Sequence, residues 1–201
     1  YLGSAGGGRI TLVDNDAVDL TNLQRQIAHT TARVGQPKAL SAQQAIADLN
    51  PDVQVTPLVQ RAGNQELDAL VATADVVLDC CDNFATRQAI NAACVRHRKP
   101  LVSGAAVRFD GQLAVYDPRS AQSPCYACVF PPDADVQETQ CATLGVFAPM
   151  VGIIGAMQAA EALKLLAGVG TSVAGRLLML EGRAMEWSEV RTSRDPACPV
   201  C

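Results

Sequence analysis

Residues Asp14 to Lys38 read DNDAVDLTNLQRQIAHTTARVGQPK, and they follow an apolar run, Ile10 to Val13, that stops at the acidic pair Asp14 and Asp16. A strand that delivers a carboxylate at its C-terminal end is how a doubly wound α/β fold grips a nucleotide ribose, so Asp14 is expected to hold ribose. Farther on, Arg25 and Lys38 stand among Asn22, Gln24, Gln26 and Gln36. That mixture suits the oxygens of a polyphosphate, which are held by charge and by direction. A second apolar strand ends in Asp79-Cys80-Cys81-Asp82-Asn83. A carboxylate beside phosphates commonly reaches them through Mg2+, which makes Asp82 the expected magnesium ligand. These residues together predict a nucleotide triphosphate site.

The chain has 201 residues, of which 49% are apolar. That is enough for one substantial core, and nothing in the composition demands a second domain. Sixteen basic against twenty acidic residues give a net charge of −4. With no long basic cluster, broad nucleic-acid binding is disfavoured, and a nucleotide or a small protein partner fits better. No secretory signal is evident, so a cytoplasmic protein is expected. Within the longest uncharged run, the stretch Ala142 to Ala160 approaches the length of a membrane span. Gly145, Pro149, Gly152, Gly155 and Gln158 interrupt it, and Glu161 and Lys164 continue its helical pattern, which favours a buried core or interface helix and no membrane partner.

Read in order, Tyr1 to Ala5 looks like the end of a helix and Gly6-Gly7-Gly8 like its exit turn. These glycines precede a strand rather than a helix, so they are not a phosphate-binding loop. Strands are expected over Arg9–Val13, Val53–Val59, Asp75–Asp79 and Leu101–Val107, with helices over Pro37–Leu49, Glu66–Ala72 and Ala85–Arg98. Asp110-Gly111 reads as the tight turn before a strand at Gln112–Tyr116, and Glu181-Gly182-Arg183 as the turn of a second hairpin. The fold class is therefore α/β: a Rossmann-like mixed sheet, parallel in its first half, with antiparallel C-terminal hairpins and helices on both faces.

Cys125-Tyr126-Ala127-Cys128 and Cys198-Pro199-Val200-Cys201 each have the spacing that turns both sulfurs toward one tetrahedral ion. Four thiolates suggest a closed structural Zn2+ site on Cys125, Cys128, Cys198 and Cys201; independent redox pairs or plain packing are the alternatives. Cys80, Cys81 and Cys94 read as buried packing residues, and His29 and His97 as surface or packing histidines. Cys141 follows a polar segment, Pro131 to Asp135, and precedes the apolar helix, a setting in which a thiol pKa can be lowered.

Asn22-Leu23-Gln24-Arg25-Gln26, Gly35-Gln36-Pro37-Lys38, Asp82-Asn83, Ser103-Gly104-Ala105, the paired cysteines and Cys141-Ala142-Thr143-Leu144-Gly145-Val146 together resemble the ThiF/MoeB/HesA family of ubiquitin-activating-like adenylyltransferases. The pattern lies nearest the members of the molybdopterin pathway. The resemblance implies an enzyme that uses ATP and Mg2+ to adenylate the C-terminal glycine of a ubiquitin-like sulfur-carrier protein, ahead of sulfur transfer in molybdopterin or thiamine biosynthesis. On that reading Asp14 holds ribose, Arg25 and Lys38 neutralise the phosphates, Asp82 orients Mg2+, and Asn22, Gln24 and Asn83 are supporting ligands. It also implies structural zinc, a homodimer, and a catalytic cysteine in some members at the position of Cys141. In that family a glycine loop and the strand feeding it lie upstream, so residues 1–201 are expected to form one domain of this type lacking its first βα unit. A strand-ending Asp14 would also serve an NAD-dependent oxidoreductase, and a zinc-stapled module that binds a carrier without chemistry is a third reading.

Overall fold

A computed structural model describes residues 1–133 and 145–201. The chain divides into two compact units, Tyr1–Gly63 and Asn64–Cys201.

In the first unit, Tyr1–Ala5 forms a single hydrogen-bonded turn rather than the expected end of a helix, with the amide of Ala5 donating to the carbonyl of Tyr1 at 2.9 Å. Gly6 and Gly8, at φ 80° and 67°, complete the turn into strand β1, Arg9–Val13. Helix α1, Lys38–Leu49, begins after Pro37, whose fixed φ suits a helix start, and stops at Asn50-Pro51. Strand β2, Gln54–Leu58, lies parallel to β1 with Val13 opposite Leu58. The unit is thus one parallel βαβ turn whose first connection is long.

The second unit opens with α2, Asn64–Thr73, β3, Val77–Asp79, and α3, Phe84–His97. β4, Leu101–Val107, runs parallel to β3, whereas β5, Asp110–Tyr116, β6, Arg176–Glu181, and β7, Glu186–Arg191, follow antiparallel in the order β3-β4-β5-β6-β7. The expected change from parallel to antiparallel pairing therefore falls at β4. A short helix α4, Tyr126–Val129, and a long one, α5, Ala148–Ala167, complete the unit.

Strand alternation sorts the second core into two faces. Leu101, Ala114, Tyr116 and Leu177 meet Ile90, Ala93 and Cys94 of α3, while Ala106 and Leu180 meet Met150 and Ile154 of α5 on the other face. The sheet is covered by helices on both sides, as the sequence pattern predicts. α5 is long and apolar enough to cross a membrane. It nevertheless lays Met150, Ile154, Ala159 and Ala162 into the core and buries two polar side chains, Gln158 and Glu161. The Glu161 carboxylate accepts the Val173 amide at 3.0 Å and pairs with Lys164, which satisfies a charge that lipid would leave costly.

One turn differs from the sequence reading. Asp110 and Gly111 lie inside β5, paired with Val107 and Ala106, and the reversal is made by Arg108 and Phe109, with Arg108 at φ 51°. Gly111 is required by packing instead: a Cβ there would sit 2.7 Å from Met150 Sδ.

Candidate functional site

In the first unit the segment Asp14–Lys38 closes on itself. Ala17 bridges Pro37, the Val18 amide donates to Gln36 O at 2.8 Å, the Gly35 amide to Val18 O at 2.8 Å, and the Lys38 amide to Asp16 O at 2.8 Å. The loop therefore returns the first residue of α1 to the end of β1. Lys38 Nζ lies 2.8 Å from Asp16 Oδ2, with the lysine side chain largely covered and the aspartate open. Asp14 turns the chain locally by accepting the Asp16 amide at 2.8 Å. Arg25 is steadied by a bond from Nη1 to Thr21 O at 3.3 Å, and Asn22 O accepts the Arg25 and Gln26 amides. Beneath them Ser41, fully buried, bonds His29 Nδ1 at 2.8 Å and receives Arg33 at its carbonyl. Burial, with Lys38 and Arg33 nearby, holds the His29 pKa below its ordinary value. Asp14, Arg25 and Lys38 thus all belong to this one closed segment.

The second unit presents Asp82, exposed, and Asn83 in the turn between β3 and α3. Asn83 Oδ1 accepts the Thr86 amide at 2.9 Å, so this residue is the N-cap of α3. The turn is held from behind by two side chains that sequence reading missed. Arg87 donates from Nη1 to Asp79 Oδ2 at 2.9 Å and to Ser103 Oγ at 3.1 Å, and from Nη2 to Gly104 O at 3.0 Å and to Cys81 O. Gln158 Nε2 donates to the carbonyls of Asp79 and Val102 at 2.8 and 3.2 Å. Gly104 makes room for it: a Cβ would lie 2.4 Å from Gln158 Cδ. Beside Arg87 is a cavity of about 130 Å³, lined by Phe84, Ser103, Tyr116, Tyr126 and Phe130 among others, where the buried Tyr116 hydroxyl has no hydrogen-bond partner among the described residues.

The thiols separate into two groups. Cys94 is buried, and burial pushes its pKa up to about 12; Cys81, partly buried, is likewise raised to about 12. Cys80 departs from the packing expectation, being exposed as a residue, although its thiol reaches Gln158 Oε1 at 3.7 Å and desolvation raises it to about 11. Cys125, Cys128, Cys198 and Cys201 converge instead, their sulfurs all within 4.8 Å of one another. The separations of 3.7 Å for Cys125–Cys198, 3.9 Å for Cys125–Cys128 and 3.4 Å for Cys128–Cys201 bracket the roughly 3.8 Å that four ligands about 2.3 Å from a tetrahedral ion require. Four soft sulfurs with no carboxylate or imidazole among them fit a closed Zn2+ site. Cys141 lies outside the described residues.

The model of the ThiF family matches residues 1–200. The chain belongs to the ThiF family. It is 48% identical over 201 residues to the sulfur carrier protein ThiS adenylyltransferase of Escherichia coli K12, covering all of this chain and 79% of that one. It is 44% identical over 201 residues to the molybdopterin-synthase adenylyltransferase of the same organism, covering 80% of it. Among solved structures, Escherichia coli MccB with ATP superposes with a TM-score of 0.85 at 23% identity, which speaks for the fold. All of this chain is covered there but only 61% of MccB, so the ThiF-family chain spans about three fifths of that structure.

Within this ThiF-family chain, Arg87 and Gln158 escape a sequence reading for one reason. Each is a polar residue in a helix, and such residues ordinarily face water. The one available signal for Arg87 is its place four residues after the Asn83 cap, which aims it back toward the strand ends.

Proposed function

We propose that this protein is an adenylyltransferase that transfers the AMP group of ATP to the C-terminal glycine carboxylate of a ubiquitin-like sulfur-carrier protein. The observation that carries the reading is whole-chain identity of 48% and 44% to two enzymes named as adenylyltransferases, one for ThiS and one of molybdopterin synthase. The carboxylate attacks the α-phosphorus, the bond to the bridging oxygen breaks, and pyrophosphate leaves. Asp14 holds the ribose hydroxyls. Arg25 and Lys38 meet the charge that grows on the phosphate oxygens, an electrostatic task for which fixed cations are suited. The Lys38–Asp16 pair supports this role by keeping the ammonium aimed while leaving two of its three protons for phosphate. Asp82 would hold Mg2+, and Asn22, Gln24 and the side-chain amide of Asn83 serve as weaker polar ligands. Mg2+ held by Asp82 would supply positive charge beside the leaving pyrophosphate.

Zn2+ on Cys125, Cys128, Cys198 and Cys201 is the structural partner of this chemistry, since four protein ligands leave no open position for a substrate. We further read the protein as a cytoplasmic homodimer, with Cys141 acting after adenylation. The two branches of sulfur-carrier chemistry, thiamine and molybdopterin, are both compatible with the match. The test is Mg2+-dependent exchange of labelled pyrophosphate into ATP, run with a ThiS-type and a MoaD-type carrier in turn. Exchange with one carrier assigns the branch; no exchange with ATP and either carrier overturns the reading.

A further inference from the structure

Asn91 is 1% exposed, and its amide is satisfied by the cysteine knot and its flank: Nδ2 donates to Cys125 Sγ at 3.5 Å, and Oδ1 accepts the Tyr126 amide at 2.9 Å. A buried amide needs such partners, and an N–H donor is held more strongly by a thiolate than by a neutral thiol. One helical turn earlier, on the same face of α3, Arg87 holds Asp79, Cys81, Ser103 and Gly104. The same face of one helix therefore grips the sulfur of a metal ligand at one level and the strand ends beside Asp82 at the next.

We propose that Asn91 is a positioning residue that ties the four-cysteine site to helix α3, strengthening metal binding and, in the metal-bound protein, fixing the helix that carries Arg87. The proposal rests on the reading of the four thiols as a Zn2+ site. An N–H bond to Cys125 spreads the negative charge that four thiolates gather around a divalent ion, and it sets the direction of the sulfur lone pairs. Outer hydrogen bonds of this kind are typically worth about 10–100-fold in metal affinity. Backbone amides also donate onto the sulfurs, Asp195 to Cys128 Sγ at 3.4 Å and Cys125 to Cys128 Sγ at 3.5 Å, but neither residue belongs to α3. Asn91 is thus the side-chain link from the knot to α3 among the described residues.

The test uses the full chain. Total metal analysis of the parent protein comes first: absence of zinc would defeat the site reading itself, and with it this inference. If zinc is present, its affinity is measured by competition with a chromophoric chelator for the parent and for Asn91→Asp, which keeps an acceptor for Tyr126 but loses the donor to Cys125. A loss of about 10–100-fold is expected, and affinity within twofold of the parent would overturn the proposal while leaving the zinc site standing. Should that variant fail to fold, hydrogen exchange on the parent decides. Removing zinc is expected to accelerate exchange of the Asn91 and Arg87 turns of α3, and unchanged protection there would overturn the coupling.

Discussion

Arg87 Nη1 lies 2.9 Å from Asp79 Oδ2, with the arginine side chain 11% and the aspartate 1% exposed, so the strand end beside the candidate metal carboxylate is fastened by a buried ion pair. The pair gives little net stability over an apolar isostere, but breaking it leaves an unpaired buried charge. Arg87→Ala is expected to destabilise the fold by about 3–5 kcal/mol, read from the urea midpoint. A loss under about 1 kcal/mol would mean that water replaces the guanidinium freely.

The turn that Arg87 fastens also presents Asp82, and this separates two roles. Asp82→Ala is expected to abolish Mg2+-dependent pyrophosphate exchange, a fall of at least about 100-fold, whereas Cys141→Ala should leave exchange within a few fold of the parent. Undiminished exchange in the Asp82 variant removes that carboxylate from the reaction; collapse in the Cys141 variant moves the thiol into the first step.

Cys198 belongs to the C-terminal half of the sulfur cluster, 3.7 Å from Cys125. Cys198→Ser is expected to reduce bound zinc from one equivalent to well under half at equal protein concentration, and to lower the thermal midpoint, because ligand binding to the native state is folding free energy. Stripping zinc from the parent with a chelator should reproduce the shift. A thermal midpoint that is the same with and without the metal contradicts a structural role.

His29 provides a pH signature. Its pKa is lowered in the folded protein, first by burial and then by Lys38 and Arg33, from an ordinary value of 6.5. The unfolded chain therefore takes up the proton first as pH falls, so stability is full above about 6.5 and is lost as pH drops through the lower folded value. The urea midpoint should decline modestly from about pH 7 to about pH 5, and His29→Gln should flatten that decline. Parallel profiles for parent and variant would show that the decline has another source.

Part of this is legible in the sequence, for definable reasons. Asp14 announces itself because an apolar strand ends on it, and the four-cysteine cluster because its spacing leaves few other geometries. Lys38 is legible as a cation, but its return to the end of β1 depends on the Ala17–Pro37 bridge, which no local pattern contains. Arg87, Asn91 and Gln158 were hidden because a helix interior that buries polar groups looks, residue by residue, like one that exposes them. Gly111 misled in the opposite direction: Asp-Gly is a strong turn pattern, yet here the missing side chain makes room for Met150.

Gly104 has a consequence of that kind for anyone who ranks variants by chemistry. The residue carries no functional group and its carbonyl is one of two that Arg87 holds, so replacement by alanine looks harmless. The added methyl would collide with Gln158, and Gln158 is what donates to the carbonyls of Asp79 and Val102. A substitution on a silent strand position would thus register at the neighbouring strand's end, and inherited variation there should be as restricted as at a residue that touches substrate.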